Sequence, residues 1–322
     1  LERGKEMADD GLRVLAAAEK RTGSRDEAPY EMLVFLGLIG LHDPPREGIA
    51  EAIRVCRRAG MRPVMVTGDQ PATARAIGTA IGLAEDDELE VMHGRELVAP
   101  EELSDDARNR ILRTTVFARV SPEQKLHLVR LFQGEGRTVA MTGDGVNDAP
   151  ALRRADIGVA MGGRGTDAAR QVSDMVLRDD AFSTIVAAVE QGRVIFDNIR
   201  KALMFMLCTN VAEVTAVGLA SLMGAPLPLR ALQILFLNVV TDVFPALALG
   251  VGKGNGHEME QSPRQRDEPI MTRDHWLGIG GWSAALAGCV LATLAVGILW
   301  MELPTASAVT LSFLTLAFGK LW

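Results

Sequence analysis

No stretch of this 322-residue chain gathers lysine and arginine into a block, and its 34 basic residues are outnumbered by 41 acidic ones, for a formal charge of −7. That excludes a nucleic-acid surface, since phosphate neutralisation needs clustered cations. Cysteine is scarce. Cys56, Cys208 and Cys289 stand far apart with no metal-like spacing, which excludes a disulfide framework and a zinc site and leaves three small hydrophobes expected to be buried. The chain opens at Leu1 without a Met or a signal peptide and stops at Trp322 inside an apolar run, so the expectation is a fragment. Apolar residues make up 48% of the chain but are unevenly placed. The first part is mixed and charged, the last part nearly all apolar, and an average hydropathy describes neither.

The stretch from Val139 to Pro150 reads Val-Ala-Met-Thr-Gly-Asp-Gly-Val-Asn-Asp-Ala-Pro. Its apolar start predicts a buried strand, ending in a turn that presents polar side chains at the carboxyl edge of a parallel sheet. Gly143 and Gly145 let the turn bend sharply, so Asp144, Asp148 and the Asn147 amide can converge on one small volume. Hard oxygens of this kind suit Mg²⁺, which takes one or two carboxylates plus phosphate oxygens. An acidic turn without a ligand is the plain alternative. The same strand, Gly-Asp turn and helix recur where residues 63–66 run into Thr67-Gly68-Asp69 with a helix from Ala72, so two such edges can lie side by side in one sheet. Thr67 or Asp69 as the helix N-cap is an equally sound reading.

Residues 116–120 predict a strand leading into Ser121-Pro122-Glu123-Gln124-Lys125, with Ser121 as N-cap and Pro122 at the first helical position. Lys125 then opposes the helix dipole, an arrangement that a bound anion explains. Earlier, Asp43-Pro44-Pro45-Arg46 breaks the chain as a hinge candidate, and Ile49, Ala50, Ile53 and Cys56 recur at helical spacing before Gly60. Residues 157–161 and 175–177 supply further strands. The alternation predicts a doubly wound α/β domain over residues 33–182.

From Phe182 to Met223 no proline interrupts the chain, which predicts one continuous helix leading into a bilayer. Residues 201–223, 230–251 and 276–301 are each long enough to cross a hydrocarbon core about 30 Å thick, and 303–322 reads as a fourth span cut short. Arg193, Arg200 and Lys201 precede the first span, and Lys253, Arg264, Arg266 and Arg273 lie between the second and third. That bias puts the α/β domain and the long loop in the cytoplasm.

Asn210 and Glu213 share a face of the first span, as Asn238, Thr241 and Asp242 do of the second, and two faces can enclose one cavity. A charged carboxylate at mid-bilayer costs about 2.5–3.5 kcal/mol, and no Lys or Arg in these two spans offers Glu213 or Asp242 a partner. Either both are protonated and bond across the helices, or they hold a cation. Pro245 frees backbone carbonyls as further ligands, and a flexible, oxygen-only site suits Ca²⁺.

These strings resemble the P-type cation-transporting ATPases in four independent motifs, from about Gly11 to the end. The Gly-Asp-Gly-Val-Asn-Asp string is similar to the hinge motif of that family's haloacid-dehalogenase-like domain, and Ala-Arg-Val-Ser-Pro-Glu-Gln-Lys to its phosphoryl-binding segment. Gly-Leu-Arg-Val-Leu-Ala resembles the end of its nucleotide-binding domain. Asn-Val-Ala-Glu and Asn-Val-Val-Thr-Asp-Val-Phe-Pro-Ala resemble the fifth and sixth membrane helices of its Ca²⁺ pumps.

The resemblance implies ATP and Mg²⁺ as cofactors. Asp144 would carry Mg²⁺ with Asn147 and Asp148 nearby, Thr67, Gly68, Asp69 and Lys125 would serve the phosphoryl group, and Arg13 would contact a nucleotide phosphate. Asn210, Glu213, Asn238, Thr241 and Asp242 would bind a transported cation, Ca²⁺ rather than Na⁺, because sodium pumps typically carry Asp where Asn238 stands. The implied architecture is the end of a nucleotide-binding domain (1–32), a Rossmann-like phosphorylation domain (33–182) in the cytoplasm, and a stalk with an α-helical transmembrane domain (183–322) in the cell or inner membrane. The long helix would couple the two.

Two departures stand out. Asp-Lys-Thr-Gly-Thr, which carries the phosphorylated Asp, is absent, so the chain alone is expected to be inactive and to need a missing N-terminal part. Pumps that bind two Ca²⁺ add a Glu from the eighth membrane helix, and aligning Leu311-Ser312-Phe313-Leu314 with that helix puts Phe318 there, so one ion per cycle is expected. A pump for Na⁺, Mn²⁺ or H⁺ stays open. A phosphatase on a membrane anchor would share the Gly-Asp motif without needing the intramembrane polar residues. A non-enzymatic membrane subunit would explain the missing nucleophile but would not need Lys125 and Asp144.

Overall fold

The computed structural model describes residues 2–9, 11–21, 28, 30–42, 44–84, 89–97 and 103–321. The chain forms two compact units, Leu1–Ala188 with Met259–Arg266, and Val189–Glu258 with Asp267–Trp322.

In the first unit, helix α1 (Glu2–Asp9) precedes strand β1 (Arg13–Glu19), which pairs antiparallel with β2 (Val34–Leu41) in the register Arg13↔Leu41. Val34, Phe35, Leu36, Ile39 and Leu41 of β2 are exposed. Asp43, at the head of the hinge candidate, lies outside the described residues.

Helix α2 (Ile49–Arg58) buries Ala52, Ile53 and Cys56, the face its apolar spacing predicts, and Gly60 follows at φ +73°. A left-handed residue just beyond a helix end carries no Cβ penalty when it is glycine.

The parallel strands form two groups. In the first, β3 (Met65–Val66), β4 (Val91–His93) and β5 (Val116–Ala118) stand in the order β3-β5-β4, flanked by α3 (Pro71–Ala80), α4 (Asp105–Arg113) and α5 (Pro122–Gly134). All three residues of β5 are buried, as befits a central strand covered on both faces. In the second, β6 (Ala140–Gly143), β7 (Ile157–Met161) and β8 (Met175–Leu177) stand in the order β6-β7-β8, with α6 (Ala149–Arg154) and α7 (Asp167–Val172) between them.

The single sheet expected from the repeated Gly-Asp units is therefore not formed. Among the described residues no ladder joins β3 to β6, and each is an edge strand. A parallel ladder needs an adjacent strand in register, and here both motif-bearing strands present an open edge.

The second unit is helical. Helix α8 (Phe182–Leu222) runs unbroken for 41 residues, as the absence of proline predicts. It is followed by α9 (Ala231–Phe236), a π-helical segment Leu237–Asp242 and α10 (Val243–Gly250), then α11 (Arg273–Ala295) with its π-helical end Val296–Trp300, then α12 (Thr305–Leu321). Three of these stretches, Phe182–Leu222, Ala231–Gly250 and Arg273–Trp300, are long and apolar enough to cross a membrane, and Thr305–Leu321 is a shorter apolar helix.

The core of this unit brings together Ala212 and Ala216 of α8, Leu229 before α9, Leu237, Ala287 and Val290 of α11, and Leu316 of α12. Small residues at such contacts let helix backbones approach closely where water is absent. Ser283 of α11 donates to the Cys208 carbonyl of α8 at 2.9 Å, and Thr315 of α12 to Thr293 of α11 at 3.2 Å. Of the three cysteines only Cys56 is buried, and Cys289 is exposed.

Candidate functional site

Two clusters of polar side chains stand out, one in each unit. In the first unit β3, β5 and β6 position the groups. Thr67 follows β3, and its hydroxyl donates to Asp69 Oδ2 at 2.9 Å while accepting the Asp69 N–H at 3.1 Å. The N-cap of α3 is Gln70, with no side-chain capping bond, so the capping role read for Thr67 or Asp69 is not adopted. The Thr67–Asp69 loop is instead tied to the end of β5: Arg119 donates its N–H to the Asp69 carbonyl at 3.0 Å and Val120 to that of Thr67 at 3.1 Å. Arg119 holds φ +56° to do so, an uncommon conformation for a side chain-bearing residue and one that collects at functional sites. Gly68 has open space where a Cβ would be.

Ser121 caps α5 as its sequence predicts, accepting the Gln124 N–H while Gln124 reaches back to the Ser121 N–H. Lys125 is thereby placed in the first turn. Its Nζ lies 2.6 Å from Asp148 Oδ1, and the anion that offsets its unfavourable position is Asp148. The other oxygen of Asp148 accepts the Gly145 N–H at 3.2 Å. A Cβ at Gly143 would stand 2.6 Å from the Asp148 Cβ, so glycine there is what lets this carboxylate fold back against the strand end. Asp144 and Asn147 are exposed. The Asp144 backbone is pinned, its carbonyl accepting the Thr166 N–H at 2.8 Å.

The two carboxylates thus have separate duties, Asp148 holding Lys125 and Asp144 facing outward. As a hard oxygen donor at the end of a parallel strand, Asp144 fits a Mg²⁺ shared with phosphate oxygens. Among the described residues no group of three or more His, Cys, Asp or Glu side chains forms a complete metal cage. Arg13 opens β1, but its side chain lies outside what is described.

Below these loops Asp156 braces the second strand group. Burial works to raise its carboxyl, but the Val139 N–H at 2.9 Å, the Gln133 amide at 3.1 Å and Arg266 at 3.3 Å outweigh it and hold the group below its ordinary range.

The second cluster lies among the apolar helices. Glu213 of α8 and Asp242 of the π-helical segment are buried, at 4% and 3% exposure. They do not lack a cationic partner, contrary to the expectation drawn from their own two spans. Lys320 of α12 places its Nζ 2.5 Å from Glu213 Oε1 and 2.8 Å from Asp242 Oδ1. A buried carboxylate needs a counter-charge, and the packing of α12 supplies one from outside the two spans that carry the carboxylates. A lysine inside an apolar run was the available signal, since an intramembrane ionisable residue is a candidate functional residue by default. Phe318, aligned with the missing Glu, is 68% exposed, so the residue of α12 that enters the cluster is Lys320.

The other predicted ligands divide. Thr241 is buried and donates to the Leu237 carbonyl at 2.8 Å, leaving its oxygen lone pairs available. Asn210 donates to Met206 of its own helix at 2.8 Å. Asn238 Oδ1 and Asp242 Oδ2 are buried with no hydrogen-bond partner. Two unpaired acceptor oxygens in an apolar interior are costly unless something positive meets them. The π-helical segment carries both and precedes Pro245, whose ring removes the donor that would close the next turn.

Residues 8–156 match the family described as haloacid dehalogenase-like hydrolase, and residues 226–322 the family described as cation transporting ATPase, C-terminus. Among curated relatives, a P-type sodium-transporting ATPase4 of Toxoplasma gondii is 46% identical over 91% of this chain and 24% of its own length. Calcium-transporting ATPase 1 of Yarrowia lipolytica is 48% identical over 84% of this chain and 29% of its own length, and the calcium-transporting ATPase of Bacillus subtilis 41% identical over 98% and 36%. The chain spans about a quarter to a third of the length of these relatives. With residues 8–156 and 226–322 matched by these two families, and with relatives 41–48% identical over 84–98% of its length, the chain belongs to the P-type cation-transporting ATPases.

Proposed function

We propose that this chain works as the C-terminal part of an ATP-driven cation pump, with Ca²⁺ as the transported ion and its α/β unit in the cytoplasm. The observation that carries this reading is the buried pair Glu213 and Asp242 beside the unpaired oxygens of Asn238 and Asp242. A membrane anchor has no use for such a group, and a phosphatase needs none. Ca²⁺ suits flexible all-oxygen sites, and the names of two of the three relatives above agree with it.

The acceptor aspartate would come from a further parallel strand, for which β3 and β6 each offer an open edge. In the phosphoryl-transfer step Thr67 presents its hydroxyl from a loop held by β5. Lys125 exchanges Asp148 for a phosphoryl oxygen, its ammonium keeping a solvent-facing edge beside the buried carboxylate, whose other oxygen stays on the Gly145 N–H. Asp144 would hold Mg²⁺, which when bound offsets the charge developing on the phosphoryl oxygens. The domain limits 1–32, 33–182 and 183–322 follow from the same reading, and Arg13 is assigned to the nucleotide phosphate by resemblance.

The experiment uses membranes carrying the complete pump. Ca²⁺ should induce an acid-stable, hydroxylamine-labile phosphoenzyme from ATP. Asp144→Asn should lower its formation by at least about a hundredfold, the scale for losing a charge stabiliser, while equilibrium Ca²⁺ binding survives. Phosphorylation indifferent to Ca²⁺ and Na⁺ alike would reject transport.

A further inference from the structure

Lys320 is the fully buried ammonium of the helical unit. Its side chain is 0% exposed and sits between Glu213 Oε1 at 2.5 Å and Asp242 Oδ1 at 2.8 Å, with those side chains 5% and 3% exposed. Its partners come from α8 and from the π-helical segment, 107 and 78 residues away in sequence. The ammonium therefore occupies a position between two carboxylates of different helices, where a mobile cation would otherwise bridge them.

Not every acceptor oxygen of the cluster is paired. Asp242 Oδ2 has no hydrogen-bond partner, and Asn238 Oδ1 is likewise buried and unpaired. With Thr241 beside them, these oxygens belong to one stretch of backbone, Leu237–Asp242, whose π-helical winding departs from the regular ladder. The carboxylates thus divide their work, with Glu213 engaged by the lysine and Asp242 shared between the lysine and the open oxygens.

We propose that Lys320 is a tethered cation that permanently fills the Glu213 side of the cavity and so limits the pump to one transported cation per cycle, bound on the Asn238–Asp242 side. This rests on the transport reading above and deepens it. A fixed ammonium cannot be released with the cargo, and at contact distance it repels a second cation from the same carboxylate oxygens. The single-ion expectation thereby acquires a different cause from an absent ligand on α12: a charge of opposite sign is present there.

The test is equilibrium binding of ⁴⁵Ca²⁺ to the complete pump in membranes, with ²²Na⁺ as a second probe, each divided by the phosphoenzyme formed from ATP. The wild type should bind one ion per phosphoenzyme. Lys320→Gln should admit a second, raising the ratio toward two, and Lys320→Arg, which keeps the charge, should stay at one. Two saturable ions in the wild type, or a ratio of one in Lys320→Gln at unchanged affinity, overturns the proposal while leaving transport intact. If Lys320→Gln does not accumulate, Lys320→Met, which keeps an unbranched side chain without the charge, is read by the same ratio and the same two outcomes. Absence of any Ca²⁺- or Na⁺-dependent phosphoenzyme in the wild type instead removes the transport reading itself.

Discussion

Lys125 retains 17% of its side-chain exposure beside Asp148, whereas Lys320 retains none beside Glu213 and Asp242. The difference decides what each ammonium can do. Lys125 keeps a solvent-facing edge although Asp148 is buried, so an incoming anion can meet its ammonium as the pair opens, which lowers the cost of opening it. A pair without water is not broken so cheaply, since removing one partner of a buried ion pair costs about 3–5 kcal/mol. Asp242 stands at the junction, with one oxygen on Lys320 and the other unpaired. In the complete pump Asp242→Asn should therefore weaken Ca²⁺ activation of ATP hydrolysis by at least about tenfold, equivalent to about 1.4 kcal/mol. Activation at unchanged affinity would mean that the carboxylate serves packing alone.

At the scale of elements, β6 and β7 depend on one side chain that belongs to neither. Asp156 accepts the Val139 N–H ahead of β6, takes the Gln133 amide from α5, and pairs with Arg266 of the returning segment. Its carboxyl is held below its ordinary range, so the folded state binds fewer protons there than the unfolded chain. Its contribution is complete above the ordinary carboxylate range and is lost as pH falls through the depressed folded value. Asp156→Asn should destabilise the full chain by about 1–3 kcal/mol at neutral pH and by little in acid. Thermal melts of both proteins from neutral pH down to about pH 3 would show it, and parallel curves would refute it.

Over the whole molecule, the same 41-residue helix contributes Phe182 to the packing around Ile53 in one unit and Glu213 to the buried cluster of the other. The nucleophile is what the chain does not supply. No Asp-Lys-Thr-Gly string occurs in it, and positioned charges without an acceptor carboxylate cannot make a covalent intermediate. The purified chain incubated with radiolabelled ATP and Mg²⁺ should retain no acid-stable label. Labelled protein would mean that another carboxylate, Asp144 first among them, accepts the phosphoryl group.

What the sequence determined by itself was local. The capping box at Ser121, the apolar face of α2, the strands Ile157–Met161 and Met175–Leu177 and the unbroken α8 all follow from residues within a turn or two of each other. Lys125, Glu213 and Asp242 were equally legible as candidates, because each is a charge placed where its surroundings oppose it, and Asp144 was legible from the glycine-flanked turn that carries it. Tertiary structure decided the pairings. Asp148 turns to Lys125, 23 residues away, Thr67 bonds to Asp69 without capping α3, and Lys320 reaches Glu213 across 107 residues. Periodicity reports which face of an element is apolar but not which element will cover it. A buried charge takes whichever counter-charge the packing brings within about 3 Å, however far along the chain it lies.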